Sequence, residues 1–171
     1  LWECSGPINH CVIMNNVGSG DGAGISRCSG LISNCLIAQN RTSGDGGGID
    51  VTACSGEIRN CTIADNSALK RGGGVYAWFD SQVTFNNCII VNNRTHSYEE
   101  GREIYVDQDA YGRECALTVR YSDVEGGREG HVFIDPTCTM NWGLGNIDAD
   151  PGFRDRAGGD YHISAASACF N

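Results

Sequence analysis

No stretch of this chain approaches the roughly 18 consecutive apolar residues that a membrane-crossing helix needs, so nothing in it reads as a transmembrane span. Positive charge is also short: 12 Lys and Arg stand against 21 Asp and Glu, for a net charge of −9. The few basic residues are scattered. Nucleic acid is therefore excluded as a partner, since its phosphates require a basic stripe or patch. Long runs of helix formers are missing, which removes the helical repeat families. No C-x2-C pair occurs to suggest a zinc site, and no C-x-x-C-H to suggest a haem. His96, His131 and His162 show no ligand spacing.

What the chain does have is a repeat. Cys11, Cys35, Cys61 and Cys88 lie in NHCVIMNN, SNCLIAQN, RNCTIADN and NNCIIVNN, at intervals of 24, 26 and 27 residues. A period of that length marks stacked structural units. Ile, Val, Thr, Asn and the 24 glycines dominate these units, which favours short strands joined by tight turns. The leucine-rich pattern would fit the period, but its Leu-x-x-Leu-x-Leu signature is absent. The expected fold is all-β: a right-handed parallel β-helix of about five to six coils, each with about three short strands.

Aligning the copies yields columns. Ile8, Ile32, Ile58 and Phe85 form one inward column, Ile13, Ile37, Ile63 and Ile90 a second, and Ile25, Ile49, Val75 and Ile104 a third. Asn16, Asn40, Asn66 and Asn93 form a polar column, expected to pass amide hydrogen bonds from coil to coil and to use asparagine's tolerance of left-handed turns. A fifth coil places Val119, Ser122 and Val124 in the Ile, Cys and Ile positions, with Gly127 where the asparagine should be. One domain spanning 1–171 follows, with coils at 4–27, 28–53, 54–80, 81–114 and 115–135 and a closing segment at 136–171. The chain lacks an initial Met and a signal peptide, and LWECSGPINHC already lies inside a repeat. The expectation is a removed leader or a longer polypeptide.

The ten cysteines fall mainly into two columns: Cys4, Cys28, Cys54, Ser81 and Cys115, and Cys11, Cys35, Cys61, Cys88 and Ser122. Two readings stay open. Cys and Ser can fill a narrow interior slot, or cysteines of adjacent coils, about 4.8 Å apart, can form disulfides. Cys138 and Cys169 fall outside these columns and are expected to staple the C-terminal segment. So many cysteines in an acidic, glycine-rich chain favour secretion or the cell surface.

On the outside, Asp21, Asp45, Arg71 and Glu100 form a turn column before the glycines. After them, Tyr76 and Trp78 are expected to point outward beside Asp50 and Tyr105, offering a candidate binding surface unless a long loop at 94–100 or 107–114 covers it. Three sequons begin at Asn40, Asn60 and Asn93, two of them ladder positions. Asp148, Asp150 and Asp155 make a possible Ca²⁺ loop without EF-hand spacing, and a structural role is favoured.

The units CSGLISNCLIAQNRTSGDGGGI and CSGEIRNCTIADNSALKRGGGV resemble the right-handed parallel β-helix repeats of the pectate-lyase-like superfamily, and are especially similar to repeats of bacterial polymorphic outer-membrane and surface proteins. NIDADPGFRDRAGGDYHISAASACFN resembles the closing segment of secreted bacterial β-helix proteins. Lyases of that superfamily hold Ca²⁺ on stacked carboxylates and use an Arg or Lys base. By that likeness Asp21 and Asp45 are the candidate metal ligands and Arg71 the candidate base, although GDG is also ordinary turn chemistry. The chain lacks the other carboxylates and the basic motif of such an enzyme, so the balance is against catalysis and no cofactor is expected, Ca²⁺ aside. The leading expectation is an extracellular structural or adhesive protein that associates end to end into filaments. The alternative is a protein that binds or cleaves polysaccharide through Asp45, Asp50, Arg71, Tyr76, Trp78 and Tyr105.

Overall fold

The structure, a computed structural model, describes residues 1–53, 55–97, 101–108 and 115–170. The chain winds as a parallel β-solenoid of about five turns. Each of the first four turns crosses four short parallel sheets rather than three, because the two residues after the ladder asparagine form a strand of their own; in the fifth the short helix Gly127–Gly130 stands in that place. The first sheet stacks Ile8–Asn9, Ile32–Ser33, Ser55–Arg59, Gln82–Asn86, Ala116–Arg120 and Thr139–Trp142. The second stacks Val12–Met14, Leu36–Ala38, Thr62–Ala64, Ile89–Val91 and Asp123–Val124. The third is made of Val17–Gly18, Arg41–Thr42, Ser67–Ala68 and Arg94–Thr95. The fourth comprises Ile25–Ser26, Ile49–Thr52, Val75–Trp78, Ile104–Val106 and Val132–Ile134.

Register puts like over like. Ile13 pairs with Ile37, Ile37 with Ile63, and Ile63 with Ile90, whose next partner is Val124. The column Ile8, Ile32, Ile58, Phe85 continues through Val119 to Trp142. All three apolar columns belong to one continuous core. Strands of two to five residues could not hold together alone; they persist because each inward side chain is sandwiched between its counterparts above and below.

The corners rest on left-handed backbone. His10, Asn34, Asn60, Asn87 and Tyr121 have φ between 50° and 55°, and Asn15, Gln39, Asp65 and Asn92 have φ between 55° and 59°. The ladder asparagines themselves are not left-handed; the residue before each one is. This leaves the ladder side chain free to point inward. Asn40 and Asn66 each donate from the backbone N–H and from Nδ2 to Oδ1 of the next coil's asparagine, at 2.9–3.0 Å. A second Nδ2 bond reaches back to a carbonyl of the preceding coil: Asn40 to Ile13, Asn66 to Ile37 and Asn93 to Ile63, all at 2.9 Å. Each buried amide is thus saturated.

The C-terminal segment first covers the fifth coil, where Asn146 accepts the Ser122 N–H and donates to the Val119 carbonyl and Ile147 bridges Asp123, and only then leaves the stack. After the sixth rung at Thr139–Trp142 the chain turns back along the outside of the second sheet as the hairpin Phe153–Asp155 and Asp160–Ile163. Phe153 and Tyr161 cover an outward apolar row of Met14, Ala38, Ala64 and Val91. Arg156 Nε and Tyr161 Oη both donate to the Asp65 carboxylate, at 2.8–3.0 Å. The tail is a strap running the length of the flank.

Replacing Asn66 with Ala would strand the N–H of Asn40 in the interior and remove a partner each from Asn40 Nδ2, Asn93 Oδ1 and the Ile37 carbonyl. At about 1–3 kcal/mol for each unsatisfied group, the variant should lose roughly 3 kcal/mol or more in urea unfolding. Asn16→Ala, at the exposed first coil, should lose clearly less. Equal losses would show that the interior ladder carries no special weight.

Candidate functional site

The outer face of the fourth sheet was expected to carry the binding surface. Register does align Asp50 with Tyr76 and Tyr76 with Tyr105. The expectation that Tyr76 stands exposed is overturned: it is 3% exposed. Its cover is Arg71, whose guanidinium carbon lies 5.0 Å from the Tyr76 ring centre and 5.5 Å from that of Tyr105. Tyr105 in turn stacks on Phe133 at 4.4 Å. Trp78 is half-buried at the corner, 5.5 Å from Phe79, and lines a shallow cleft with Glu3, Arg27, Ser29, Thr52 and Ala53. Period-2 alternation correctly predicted which side Tyr76 leaves the strand, but could not show that a turn from the same coil folds back over it.

Arg71 is itself fully engaged. Its Nε donates to Asp45 Oδ1 at 3.1 Å, Nη2 reaches Asp45 Oδ2 at 3.3 Å, and Nη1 bonds Asp107. Burial alone would ease its proton off. The hydrogen bond to Asp45 and the neighbouring Tyr76, Asp45 and Asp107 outweigh that and hold it above its ordinary range. The guanidinium is thus held in its charged form. The carboxylates serve the turns: Asp21 Oδ1 accepts the Asp45 N–H at 2.8 Å, and Asp45 Oδ1 accepts the Arg71 N–H at 2.9 Å. Both Asp45 oxygens are taken by Arg71, so the guanidinium already supplies positive charge beside this carboxylate. Glu100, the fourth member of this column, lies outside the described residues, as does most of the 107–114 loop.

Asp50 is buried on the same face, accepting the Ser26 hydroxyl at 2.8 Å and that of Thr52. Burial raises its carboxyl above the usual range, against the pull of those two hydroxyls. Asp148, Asp150 and Asp155 each accept a backbone N–H, from Gly126, Gly152 and Gly158. Asn40 and Asn93 are buried and cannot carry a glycan, whereas Asn60 is exposed.

The cysteines follow the slot reading. All nine among the described residues are free, and Cys54 lies outside that set. Cys35, Cys61 and Cys88 are buried and aim Sγ at carbonyls of Ser33, Arg59 and Asn86 and, one coil earlier, Ile8, Ile32 and Ile58. Ser122 continues the column by donating to the Arg120 carbonyl and accepting the Cys88 N–H. Cys138 is not a staple outside the repeats: Thr139 pairs with Ala116, which stacks Cys138 on Cys115. Cys169 donates to Asp123 at 3.0 Å instead. Burial pushes the Cys88 thiol up to about 12 and raises that of Cys61 as well.

Two features escaped the sequence reading. One is Glu103. It stands in the column of Gly24, Gly48 and Gly74, glycines so close to the ladder that a Cβ on Gly48 or Gly74 would come within 2.9 Å of an asparagine Nδ2. In this fourth copy the side chain is present and enters the ladder, taking the place assigned to Gly127. Glu103 Oε1 accepts the Asn93 N–H at 3.0 Å and Oε2 accepts Asn93 Nδ2. Burial pushes its carboxyl up to about 8, against the opposing pull of those Asn93 bonds. The signal was a glutamate in a glycine column one coil before the asparagine runs out. The other feature is a groove of about 580 Å³ between the strap and the first two sheets, lined by Asn60, Asn87, Tyr121, Asp123, Gly145 and Cys169, among others. It exists only because the tail folds back.

With that geometry in view, the family model described as right handed beta helix region matches residues 1–146, and the chain belongs to that family. Neither the curated proteins nor the solved structures contain a match to it. No helix among the described residues is long and apolar enough to cross a membrane.

The thiol assignment is directly testable. At pH 8 the native protein should label with iodoacetamide first at the partly exposed Cys4 and Cys11, while Cys35, Cys61 and Cys88 react only after denaturation, as read by peptide mass spectrometry. Disulfide-linked peptides spanning adjacent coils would show that the slot is bridged.

Proposed function

We propose that this chain is a non-enzymatic β-helical module of an exported or cell-surface protein, acting as a rigid spacer or adhesive element and associating end to end. One observation carries the reading: the charged and aromatic side chains on which catalysis would depend are spent on bonds between coils. Arg71 is clamped by Asp45 and Asp107, Asp50 is capped by two hydroxyls, and Tyr76 is covered. Such a face stiffens a rod.

End-to-end association is supported by the first coil. Ile8–Asn9, Val12–Met14 and Val17–Gly18 are each the outer strand of their sheet, with Val12 and Val17 exposed, whereas Ile25–Ser26 is already paired by Leu1–Glu3, which leaves Trp2 exposed at that end. A further coil laid on these edges, whether from a second copy or from upstream residues of a longer polypeptide, would extend the same hydrogen-bond pattern, and contacts between copies that do not close produce fibres. Buried thiols with raised pKa values also survive an oxidising exterior without pairing. Electron microscopy and sedimentation of the full chain should show mass growing with concentration into rods of constant width. Particles that stay monomeric at high concentration, or release of unsaturated uronates from acidic polysaccharides, would defeat this reading.

Polysaccharide binding has its own support in the strap groove. Asn34, Asn60 and Asn87 form an outward amide row, with Asn60 Nδ2 to Asn34 Oδ1 at 3.3 Å and Asn87 Nδ2 to Asn60 Oδ1 at 2.9 Å. The exposed ring of Tyr121 stands at its end, as a sugar face requires. Tyr121→Ala should weaken glycan binding in titration calorimetry at least about tenfold, the effect expected for losing one stacking platform. An unchanged affinity would clear the groove of that role.

A further inference from the structure

The interior ladder ends at an unusual junction. Glu103 is fully buried, and its carboxylate meets two groups from the following turn, Glu125 and His131. One ligand atom from each of the three lies within 4.8 Å of the other two. Glu125 Oε2 accepts the Asn92 N–H at 2.5 Å, which fixes its carboxylate beside the ladder. His131 is anchored by its own backbone, whose carbonyl accepts the Glu103 N–H at 3.1 Å. Its ring is pressed onto the 125–126 turn: a Cβ on Gly126 would lie 3.0 Å from His131 Nδ1, so a larger residue there would displace the ring.

Two details show that the junction is incomplete. His131 Nδ1 is buried and has no hydrogen-bond partner. On the other side of the ring Arg102 Nη2 lies 2.5 Å from Nε2, while Arg102 Nε is also buried without a partner. Two carboxylates thus converge with one guanidinium, itself held off behind the imidazole. Carboxylates this close do not both ionise unless more positive charge joins them. Two carboxylate oxygens and an imidazole nitrogen, with water completing the shell, suit a first-row divalent cation.

We propose that Glu103, Glu125 and His131 form a binding site for a transition-metal dication of the zinc class, and that Arg102 is its resident competitor. In the metal-free arrangement Arg102 donates to Nε2, so the neutral ring carries its proton on Nδ1. Metal binding needs the other tautomer, with the Nδ1 lone pair on the cation and the proton on Nε2, and Arg102 must then swing away. The cation supplies the charge the two carboxylates lack and ties the Glu125–His131 turn to the last rung of the ladder. Sequence spacing could not reveal this, because residues 103, 125 and 131 meet only when consecutive coils stack.

The test uses Co²⁺ with the full chain after treatment with a chelator, because its spectrum distinguishes thiolate ligands from oxygen and nitrogen. The expected result is one Co²⁺ per chain without a thiolate charge-transfer band, a raised melting temperature on loading, and displacement of Co²⁺ by Zn²⁺. Glu103→Gln keeps an acceptor for Asn93 and should fold, yet lose affinity at least about tenfold; His131→Gln should do the same, and melting curves establish that both are folded. Arg102→Ala should bind more tightly, an outcome a merely structural role for the cluster would not produce. No uptake, uptake accompanied by a thiolate band, or binding that survives in both folded variants would overturn the site.

Discussion

Burying a corner of the backbone is the problem this solenoid must solve at every turn. Strand backbones find partners in the neighbouring coil automatically, but a chain that bends between two sheets leaves N–H and C=O groups facing an apolar interior. The asparagine column resolves this with one side chain per coil. It works because an amide both donates and accepts: each ladder side chain accepts from and donates to the coil before it, while its N–H and Nδ2 donate to the Oδ1 of the coil after it. The apolar columns then stack at the spacing this ladder sets, and the two kinds of column enforce each other's register.

The thiol slot follows the same logic on a smaller scale. A sulfur fills the narrow interior corner beside the first sheet, and its weak donor finds a carbonyl; where serine replaces it, the hydroxyl makes the same bond and accepts one more. The outer face of the fourth sheet repeats the principle with charges. Asp21, Asp45 and Arg71 each satisfy or receive part of the next coil's turn, so the column that looked like a lyase site is a third structural ladder.

Only where a column breaks does something other than support emerge. Glu103 replaces an amide with a carboxylate, which accepts from Asn93 but cannot continue the donor pattern. The ladder's terminus is therefore an acceptor-rich pocket rather than another identical rung, and Glu125 and His131 gather there. The strap is a second departure from periodicity. By folding back on Met14, Ala38, Ala64 and Val91, it builds a groove that no single repeat contains.

Much of this was legible in the chain itself. The spacing of Ile13, Ile37, Ile63 and Ile90 determined the fold, the inward columns and the partners within each, because a residue stacked on its own kind depends on local period alone. The identity of the ladder asparagines was legible for the same reason. What tertiary structure decided was everything that depends on how far a side chain or segment reaches: Arg71 closing over Tyr76, Cys138 stacking on Cys115, the tail turning back as a strap, and Glu103 entering a ladder drawn from other coils. Periodicity specifies which residues lie above one another; it carries no information about contacts across a turn or between segments outside the repeat, and there the folded chain alone gives the answer.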